Sequence, residues 1–323
     1  MNILNKRTFY KPFQYPWAYS LFKKHEQMHW MPEEVELKED VYDWNNRLTS
    51  EEKNLLTQLF RFFTQADIDV ASGYSRIYLP YLSNHPELAM MMLSFGAREA
   101  VHIDAYSLLI ETIGMPETTY QAFSEFQAMK DKHEYVEQFK GENTYELLKG
   151  LAVYSAFTEG MQLFSSFAIL MNFERFGKMK GMCNIVRWSI RDESMHVDGM
   201  TKLFRELYKE YPFSSNLESK TLVSELKEIA YNMVALEDKF IDLCFEQGGI
   251  EGITVQEIKE YIRFIADKRW NQLGFSGNLY KIKENPLPWL DWVVNGVEHT
   301  NFFEARPTEY SKGTLTDVGE INW

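Results

Sequence analysis

Apolar residues recur at spacings of three and four along almost all of the chain between residues 50 and 272. This is the period of an α-helix that buries one face, and the period of two that is typical of β-strands is scarce. Helix-start and helix-stop residues divide the region into seven segments, roughly 49–79, 86–114, 117–139, 143–173, 178–210, 218–246 and 254–272. Several long helices with short connections predict an all-α protein built as a helical bundle.

The boundaries of these segments rest on residues that favour helix ends. Thr49 and Glu52 have the spacing of a capping box, and Pro86 suits the first turn of the second helix. Gly114 ends that helix, and Pro212 ends the fifth. Such signals separate one helix from the next where the apolar pattern alone does not.

The last 50 residues change character. The stretch ENPLPW predicts a rigid extended turn, and beyond Phe303 the chain is polar and irregular. No internal repeat, low-complexity tract or clear linker divides the part before it. We therefore predict one helical domain over residues 1–303 and a flexible C-terminal tail over residues 304–323.

The composition of the chain indicates a protein with a large buried core and argues against several other classes of protein. The chain has 323 residues, 45% of them hydrophobic and 15% aromatic, which is enough to bury a large core. No run of about 18 apolar residues predicts a membrane span, and the N-terminus lacks the pattern of a signal peptide. A net charge of -13 disfavours direct binding to nucleic acid. Cys183 and Cys244 form no paired motif, so we expect a cytoplasmic location and neither a disulfide framework nor a thiolate zinc site.

One predicted helix carries polar residues on an apolar background. In REAVHIDAYSLLIE, residues 98–111, a helical projection places Glu99, His102 and Tyr106 within an arc of about 60°. Apolar residues surround them on nearly every side, so the helix is expected to be mostly buried. A buried acid needs a partner, but one Glu-x-x-His alone is weak evidence for a metal.

A second copy of the motif strengthens the metal interpretation. Glu193 and His196 repeat the spacing in VRWSIRDESMHVDGM, within another long helix. Two Glu-x-x-His helices, plus one carboxylate from each of two further helices, form the ligand set of ferritin-like dinuclear metal proteins. Glu159, on an apolar stripe of the fourth predicted helix, is the first of these further carboxylates.

The first predicted helix offers two acids for the remaining position. Asp67 lies on the apolar stripe of that helix, whereas Asp69 points about 200° away from it. We therefore choose Asp67 and interpret Asp69 as a solvated or capping acid. The predicted metal ligands are Asp67, Glu99, His102, Glu159, Glu193 and His196.

The types of ligand indicate the metal. Four carboxylates balance the charge of two divalent ions, and oxygen ligands with two imidazoles suit iron or manganese. We favour Fe/Fe, with Mn/Fe and Mn/Mn as alternatives. The competing interpretation is a buried network of acids and histidines without metal, in which crowded carboxylates would have to stay protonated.

Two neighbours of the predicted centre each allow two interpretations. Asp192 precedes Glu193, and it either accepts the outer ring N–H of His102 or is a simple surface acid. Tyr106 lies one turn beyond His102, where a phenol serves either for packing or for redox chemistry beside an oxygen-activating metal pair.

Taken together, these segments resemble a known family. The chain is similar to the small, radical-generating subunit of class I ribonucleotide reductase over almost its whole length, from HWMPEEV to NGVEHTNFFEARPTEYSKG. The segments RFFTQAD, REAVHIDAY, AFTEG and WSIRDESMH occur in the order of the family, which makes the resemblance specific. It implies that a reduced metal pair reacts with dioxygen and oxidises Tyr106. The stored radical then passes reversibly to a cysteine of a large subunit, where ribonucleotides are reduced to deoxyribonucleotides.

The resemblance also implies a transfer path and partners. Trp30 matches a tryptophan on the path, and Asp192 matches the acid that links it to His102. Tyr310 matches a tyrosine at the subunit boundary, and the terminal VGEINW matches the tail that docks on the large subunit. A homodimer is expected, as is an activating flavoprotein if the metal is manganese.

Some features separate this chain from particular relatives. Ser189 stands where some members have an apolar residue near the radical pocket, which bears on the polarity of that pocket. The extra N-terminal nucleotide-binding domain of some relatives is lacking, so allosteric control is expected mainly in the partner subunit. Retention of all four carboxylates argues against the metal-free variants, and Tyr106 argues against the variants with Phe or Leu at that position.

The closest rival function is a stand-alone ferritin-like oxidase or monooxygenase with the same ligands. It would need a substrate channel to the metals and no docking tail, and the set of Tyr106, Trp30 and Tyr310 disfavours it. A ferritin-type storage protein is a third class, but this chain is too long and too aromatic for a storage shell.

Overall fold

The computed structural model of the protein describes residues 3–291. Over that range the chain is helical, and an isolated bridge between Ile250 and Ile253 is the only β-type pairing. The α-helices of this part are α1 Pro16–Gln27, α2 Lys38–Asn46, α3 Ser50–Ser72, α4 Leu79–Leu82, α5 Pro86–Thr112, α6 Thr118–Gln121, α7 Gln127–Val136, α8 Thr144–Leu151, α9 Leu163–Asn172, α10 Lys180–Glu210, α11 Asn216–Cys244 and α12 Val255–Gln272. The prediction of an all-α helical bundle is confirmed.

Several predicted sites fall beyond this range. The predicted domain boundary at residue 303, the predicted tail over residues 304–323 and Tyr310 lie outside the described residues. No helix within residues 3–291 combines the length and the apolar character needed to cross a bilayer.

The helix-start signals act as the sequence predicts. The Thr49 hydroxyl accepts a hydrogen bond from the backbone N–H of Glu52 at 3.2 Å, and the Glu52 carboxylate accepts one from the N–H of Thr49 at 3.0 Å. Pro86 opens α5, and the Asn143 side chain caps α8 by accepting from the N–H of Glu146. These contacts satisfy N–H groups that have no partner inside the helix.

Two of the predicted long helices contain π-helical stretches. Residues Gly73–Tyr78 join α3 to α4, and residues Ala152–Gln162 join α8 to α9. Each stretch ends with a hydrogen bond across five residues, such as the one from the N–H of Leu163 to the carbonyl of Thr158. The second stretch contains Glu159, so one predicted ligand projects from a widened helical turn.

The segment predicted as one helix over 117–139 is interrupted. It consists of α6, the 3₁₀ turn Ala122–Glu125 and α7. Phe126 between them has extended backbone angles, φ -102° and ψ 117°, and its ring lies under the guanidinium of Arg61 at 4.9 Å. The prediction of a single helix is wrong here, because the chain turns at Phe126 to place that ring.

The N-terminal region adds helices that the apolar pattern did not predict. Helix α1 packs along α5, and α2 packs against α10. A short 3₁₀ turn, Pro32–Glu34, lies between α1 and α2 and follows Trp30 directly. This region therefore covers one side of the bundle next to the two predicted Glu-x-x-His helices.

The core lies between α3, α5, α10 and the helix made of α8, the second π-helical stretch and α9. Every residue of 152–172 is buried, so this last helix is surrounded by protein on all sides. Acids on the inner faces of these four helices must therefore find partners within the protein.

Candidate metal centre

Four buried helical segments bring the six predicted ligands together. Asp67 comes from α3, Glu159 from the second π-helical stretch, and one Glu-x-x-His pair from each of α5 and α10. All six side chains are at most 2% exposed. The spacing of three in each pair places the acid and the imidazole on the same helical face.

The two glutamates of the repeated motif lie between the two imidazoles. Nδ1 of His196 is 2.9 Å from Oε1 of Glu99 and 3.2 Å from Oε2 of Glu193. Nδ1 of His102 is 3.4 Å from Oε2 of Glu99 and 3.2 Å from Oε1 of Glu193. Each carboxylate thus turns one oxygen toward each imidazole, and the centroids of the two rings are 6.3 Å apart.

The remaining two acids are each associated with a different imidazole of this arrangement. Oε1 of Glu159 is 3.9 Å from Nδ1 of His196, and Glu159 belongs to a group with Glu99, Glu193 and His196 whose ligand atoms all lie within 4.8 Å of one another. The strongest charge acting on Asp67 is that of His102. The site therefore has two halves, one with His102 and Asp67 and one with His196 and Glu159, which share two acids.

Asp69 lies outside this arrangement. Its Oδ2 accepts from Nδ1 of His133 at 2.7 Å, and its Oδ1 accepts from the amide of Gln65 at 2.8 Å. Asp69 therefore does not face the other predicted ligands, and the choice of Asp67 as a metal ligand stays a prediction. The reading of Asp69 as a solvated or capping acid is wrong, because its side chain is 13% exposed and pairs with a histidine.

The carboxylates are short of partners. Seven of the eight oxygens of the four acids are buried without an aligned hydrogen-bond donor, namely one from Asp67 and both from Glu99, Glu159 and Glu193. Such burial is costly unless a cation is present. Two divalent ions would balance the four negative charges, so the residues present fit a dinuclear metal centre.

The pKa shifts of the buried acids are also consistent with a metal centre. Burial raises the pKa of Asp67 and of Glu159 well above the usual range of a carboxyl group. Burial also acts to raise the pKa of Glu99, but the neighbouring His102 and His196 outweigh it and lower this pKa to about 2. Four acids around two imidazoles leave some carboxylates protonated unless another cation replaces the proton.

Asp192 connects one half of the site to Trp30. Its Oδ2 accepts a hydrogen bond from the indole N–H of Trp30 at 2.7 Å and lies 3.4 Å from Nε2 of His102. Arg98 donates to the same oxygen at 3.3 Å, and Arg191 donates to Oδ1 at 3.2 Å. Asp192 is fully buried, so the reading as a surface acid is wrong.

Tyr106 is buried against an aromatic ring, close to Asp67 of the first half. It is 2% exposed, and its ring stacks on that of Phe63 with 4.3 Å between centroids. Burial, followed by the negative charge of Asp67, raises the pKa of Tyr106 well above its usual value, while the Ser189 hydroxyl acts in the opposite direction. The Ser189 hydroxyl itself donates to the carbonyl of Ile185 at 3.1 Å. The surroundings of the phenol thus include a stacked aromatic ring, the Asp67 carboxylate and the Ser189 hydroxyl.

Two neighbours of the centre were missed by sequence reasoning. Tyr74 is 1% exposed, and its ring meets that of His196 edge-on with 6.0 Å between centroids. It lies on the same apolar stripe as Asp67, where a tyrosine is indistinguishable from core packing. His25, in α1, contacts His196 through ring nitrogens 3.2 Å apart and had no signal in the sequence.

Comparisons with known proteins agree on one family. The family model described as "Ribonucleotide reductase, small chain" matches residues 7–286. A relative from Invertebrate iridescent virus 3, described as a probable ribonucleoside-diphosphate reductase small subunit, is 44% identical across 100% of this chain and 89% of its own.

Solved structures show the same fold. The ribonucleotide reductase R2 subunit from Clostridium botulinum has a TM-score of 0.79 at 20% identity, covering 91% of this chain and 99% of that one. The dimanganese(II) NrdF of Streptococcus sanguinis has a TM-score of 0.77 at 20% identity, covering 90% and 99%. The family match spans most of the chain and includes every described residue of the predicted centre, so the chain belongs to the ribonucleotide reductase small-chain family and is the small subunit of such an oxidoreductase.

Proposed function

We propose that this chain generates and stores the radical of a class I ribonucleoside-diphosphate reductase, with Tyr106 as the storage site. The observation that carries the proposal is the shared pair Glu99 and Glu193, each of which turns one oxygen toward each of two imidazoles. Such an arrangement suits a dinuclear centre to which Glu99 and Glu193 would each contribute at both metal positions.

The six ligands divide between two metal positions. Asp67 and His102 would hold the first ion, and Glu159 and His196 would hold the second, with the shared glutamates between them. Oxygen and imidazole ligands favour Fe/Fe, and Mn/Fe or Mn/Mn remain alternatives. A manganese centre would need an activating flavoprotein as partner. When bound, the metal pair supplies one-electron oxidising chemistry that is driven by dioxygen.

Tyr106 loses an electron and a proton in the proposed reaction. Its raised pKa keeps the phenol protonated at neutral pH, so oxidation to a neutral radical would also release the phenol proton. The stacked ring of Phe63 and the near-complete burial of Tyr106 exclude water and external reductants. The same enclosure would preserve the oxidised phenol until turnover.

Trp30 and Asp192 form the proposed start of the path toward the large subunit. The hydrogen bond between them, and the stacking of Trp30 on His102 with 6.0 Å between centroids, support this assignment. The path would continue through Tyr310 in the C-terminal tail, a role that rests on the family resemblance. A small chain implies a large-subunit partner, and we propose the tail as its docking segment and a homodimer as the working form.

Metal loading with detection of the radical tests this proposal. Apo-protein is loaded with Fe(II), exposed to oxygen and examined by electron paramagnetic resonance. We expect a tyrosyl signal that is lost in Tyr106→Phe and kept in Tyr74→Phe, which removes the other phenol beside the centre. Absence of a radical both with iron and with manganese plus an activating flavoprotein would refute the proposal.

A further inference from the structure

The two imidazoles of the centre differ in what their outer nitrogens contact. Nε2 of His102 lies 3.4 Å from the Asp192 carboxylate, which also receives the indole N–H of Trp30. Nε2 of His196 lies instead 3.2 Å from Nε2 of His25, another imidazole. The second half of the site is therefore contacted by an imidazole where the first half is contacted by a carboxylate.

The contact to His25 continues outward as a hydrogen-bonded chain. Nδ1 of His25 is 2.7 Å from the Ser94 hydroxyl oxygen, and that hydroxyl donates to Oε1 of Glu26 at 2.5 Å. His25 is fully buried and Ser94 nearly so, whereas Glu26 is exposed at the end of α1. One continuous set of contacts thus runs from His196 to a surface carboxylate.

The two ends of this set of contacts, His196 and Glu26, determine the direction of every hydrogen bond between them. Nδ1 of His196 faces Glu99 and Glu193, so a metal ion bound at that nitrogen would leave the ring proton on Nε2. Nε2–H of His196 then donates to His25, whose own proton must lie on Nδ1 and is donated to Ser94. The serine hydroxyl is left free to donate to Glu26, which can only accept.

The surroundings of His25 fix the position of its ring. The ring packs edge-on against Phe95 with 5.0 Å between centroids, and α1 packs along α5. Nε2 of His25 can accept from His196 only when it carries no proton, which agrees with donation from Nδ1 of His25 to Ser94.

We infer that His25 is a positioning residue for the second metal position: it accepts the outer N–H of His196 and thereby fixes the tautomer and ring orientation of that ligand. This inference rests on the proposed dinuclear centre. Outer partners of metal-bound histidines typically change metal affinity by about ten- to hundredfold. Loss of the acceptor should lower the binding affinity for one of the two ions and leave the affinity for the other unchanged.

The test is a titration of full-length apo-protein with Mn(II), in which electron paramagnetic resonance measures the free ion. The wild-type chain is expected to bind two ions. His25→Phe keeps an aromatic ring but removes the acceptor, and it should lower the affinity for the second ion by about ten- to hundredfold. His25→Gln offers an amide oxygen as acceptor and should restore most of the affinity, while His29→Gln, at an exposed neighbour, should change nothing.

The outcomes distinguish failure of the proposed dinuclear centre from failure of the proposed role of His25. A wild-type chain that binds fewer than two ions contradicts the proposed centre itself. Two ions in the wild type with unchanged binding in His25→Phe overturn the role of His25 alone. Equal losses in His25→Phe and His25→Gln would also overturn it, because packing would then be all that His25 supplies. If His25→Phe fails to fold, Ser94→Ala, which removes the acceptor of His25, must show a smaller loss confined to one ion, and unchanged binding there would overturn the inference.

Discussion

The indole N–H of Trp30 donates a 2.7 Å hydrogen bond to Oδ2 of Asp192, a residue 162 positions later in the chain. Both side chains are at most 1% exposed, and the residues on either side of Trp30 are exposed. Since the same oxygen lies 3.4 Å from His102, one buried carboxylate joins the outer edge of the bundle to a proposed metal ligand.

Trp30→Phe tests whether this link carries the radical. Phenylalanine cannot donate the hydrogen bond and is harder to oxidise than tryptophan. We expect turnover with the large subunit to fall by on the order of hundredfold while the tyrosyl signal persists. Deoxyribonucleotide formation and the tyrosyl signal are measured on the same sample. Trp188→Phe is the control, because its ring packs 5.0 Å from that of Trp30, and wild-type turnover in Trp30→Phe would remove Trp30 from the path.

Lys132 and Glu237 form a buried ion pair away from the centre. Nζ of Lys132 is 2.5 Å from Oε2 of Glu237, both side chains are at most 2% exposed, and the ammonium lies 3.7 Å from the centroid of Phe62. Lys132→Met should lower the free energy of unfolding by about 3–5 kcal/mol, because it leaves an unpaired buried acid. Lys132→Met with Glu237→Leu should restore most of that loss, as measured by urea unfolding.

The pH dependence of Lys132→Met has a definite sign. Burial already raises the pKa of Glu237 in the wild type, and loss of the nearby ammonium raises it further. An acid whose pKa is higher in the folded state than in the unfolded state stabilises the folded protein at pH values below its unfolded-state pKa. That contribution is lost as the pH rises toward its folded-state pKa. Unfolding of Lys132→Met should therefore become easier from about pH 4.5 upward. Lys239→Met, which removes a 61% exposed lysine paired with Asp131, should show neither effect.

Ser189→Ala tests the polarity of the radical pocket. The serine hydroxyl is the one group that acts to lower the raised pKa of Tyr106, so its removal leaves the phenol in a more apolar surrounding. We expect the tyrosyl signal of Ser189→Ala to decay more slowly than that of the wild type. Ser194→Ala is matched to it, because Ser194 likewise donates to a carbonyl four residues back. Faster decay in Ser189→Ala would mean that the hydroxyl protects the radical.

Gly160→Ala tests the close approach beside Glu159. A Cβ at this position would lie 2.8 Å from Nε of Arg269, which donates a 2.5 Å hydrogen bond to the carbonyl of Gly160. The buried arginine must shift, so we expect a loss of about 1–3 kcal/mol in the free energy of unfolding and weaker metal binding. Thermal unfolding and metal analysis measure the two effects. Gly249→Ala, where a Cβ meets nothing within 4 Å, should leave both unchanged.

The long helices and the grouping of the six ligands were predictable from periodicity. Two identical spacings, in α5 and α10, require two more acids on apolar stripes, and a rotation of about 200° separates Asp67 from Asp69. The family resemblance then gave roles to Trp30 and Asp192, whose contact joins residues far apart in the chain.

Other features depend on packing that no local pattern records. Residues 152–162 have the apolar character of an ordinary α-helix, so the apolar pattern does not distinguish their π-helical winding. Helix α1 is short and polar, so His25 could not be placed beside His196. The turn at Phe126 lies where its ring meets Arg61 of another helix, a contact that the local sequence does not record.

Glu159 and Asp67 flank the two halves of the centre from backbones of different kinds. Asp67 projects from the regular α3, whereas Glu159 projects from a π-helical turn whose hydrogen bonds span five residues. The backbone around Glu159 is therefore wound differently from the backbone around Asp67. In the proposed centre, the metal position that His25 faces would receive its acid from the wider turn.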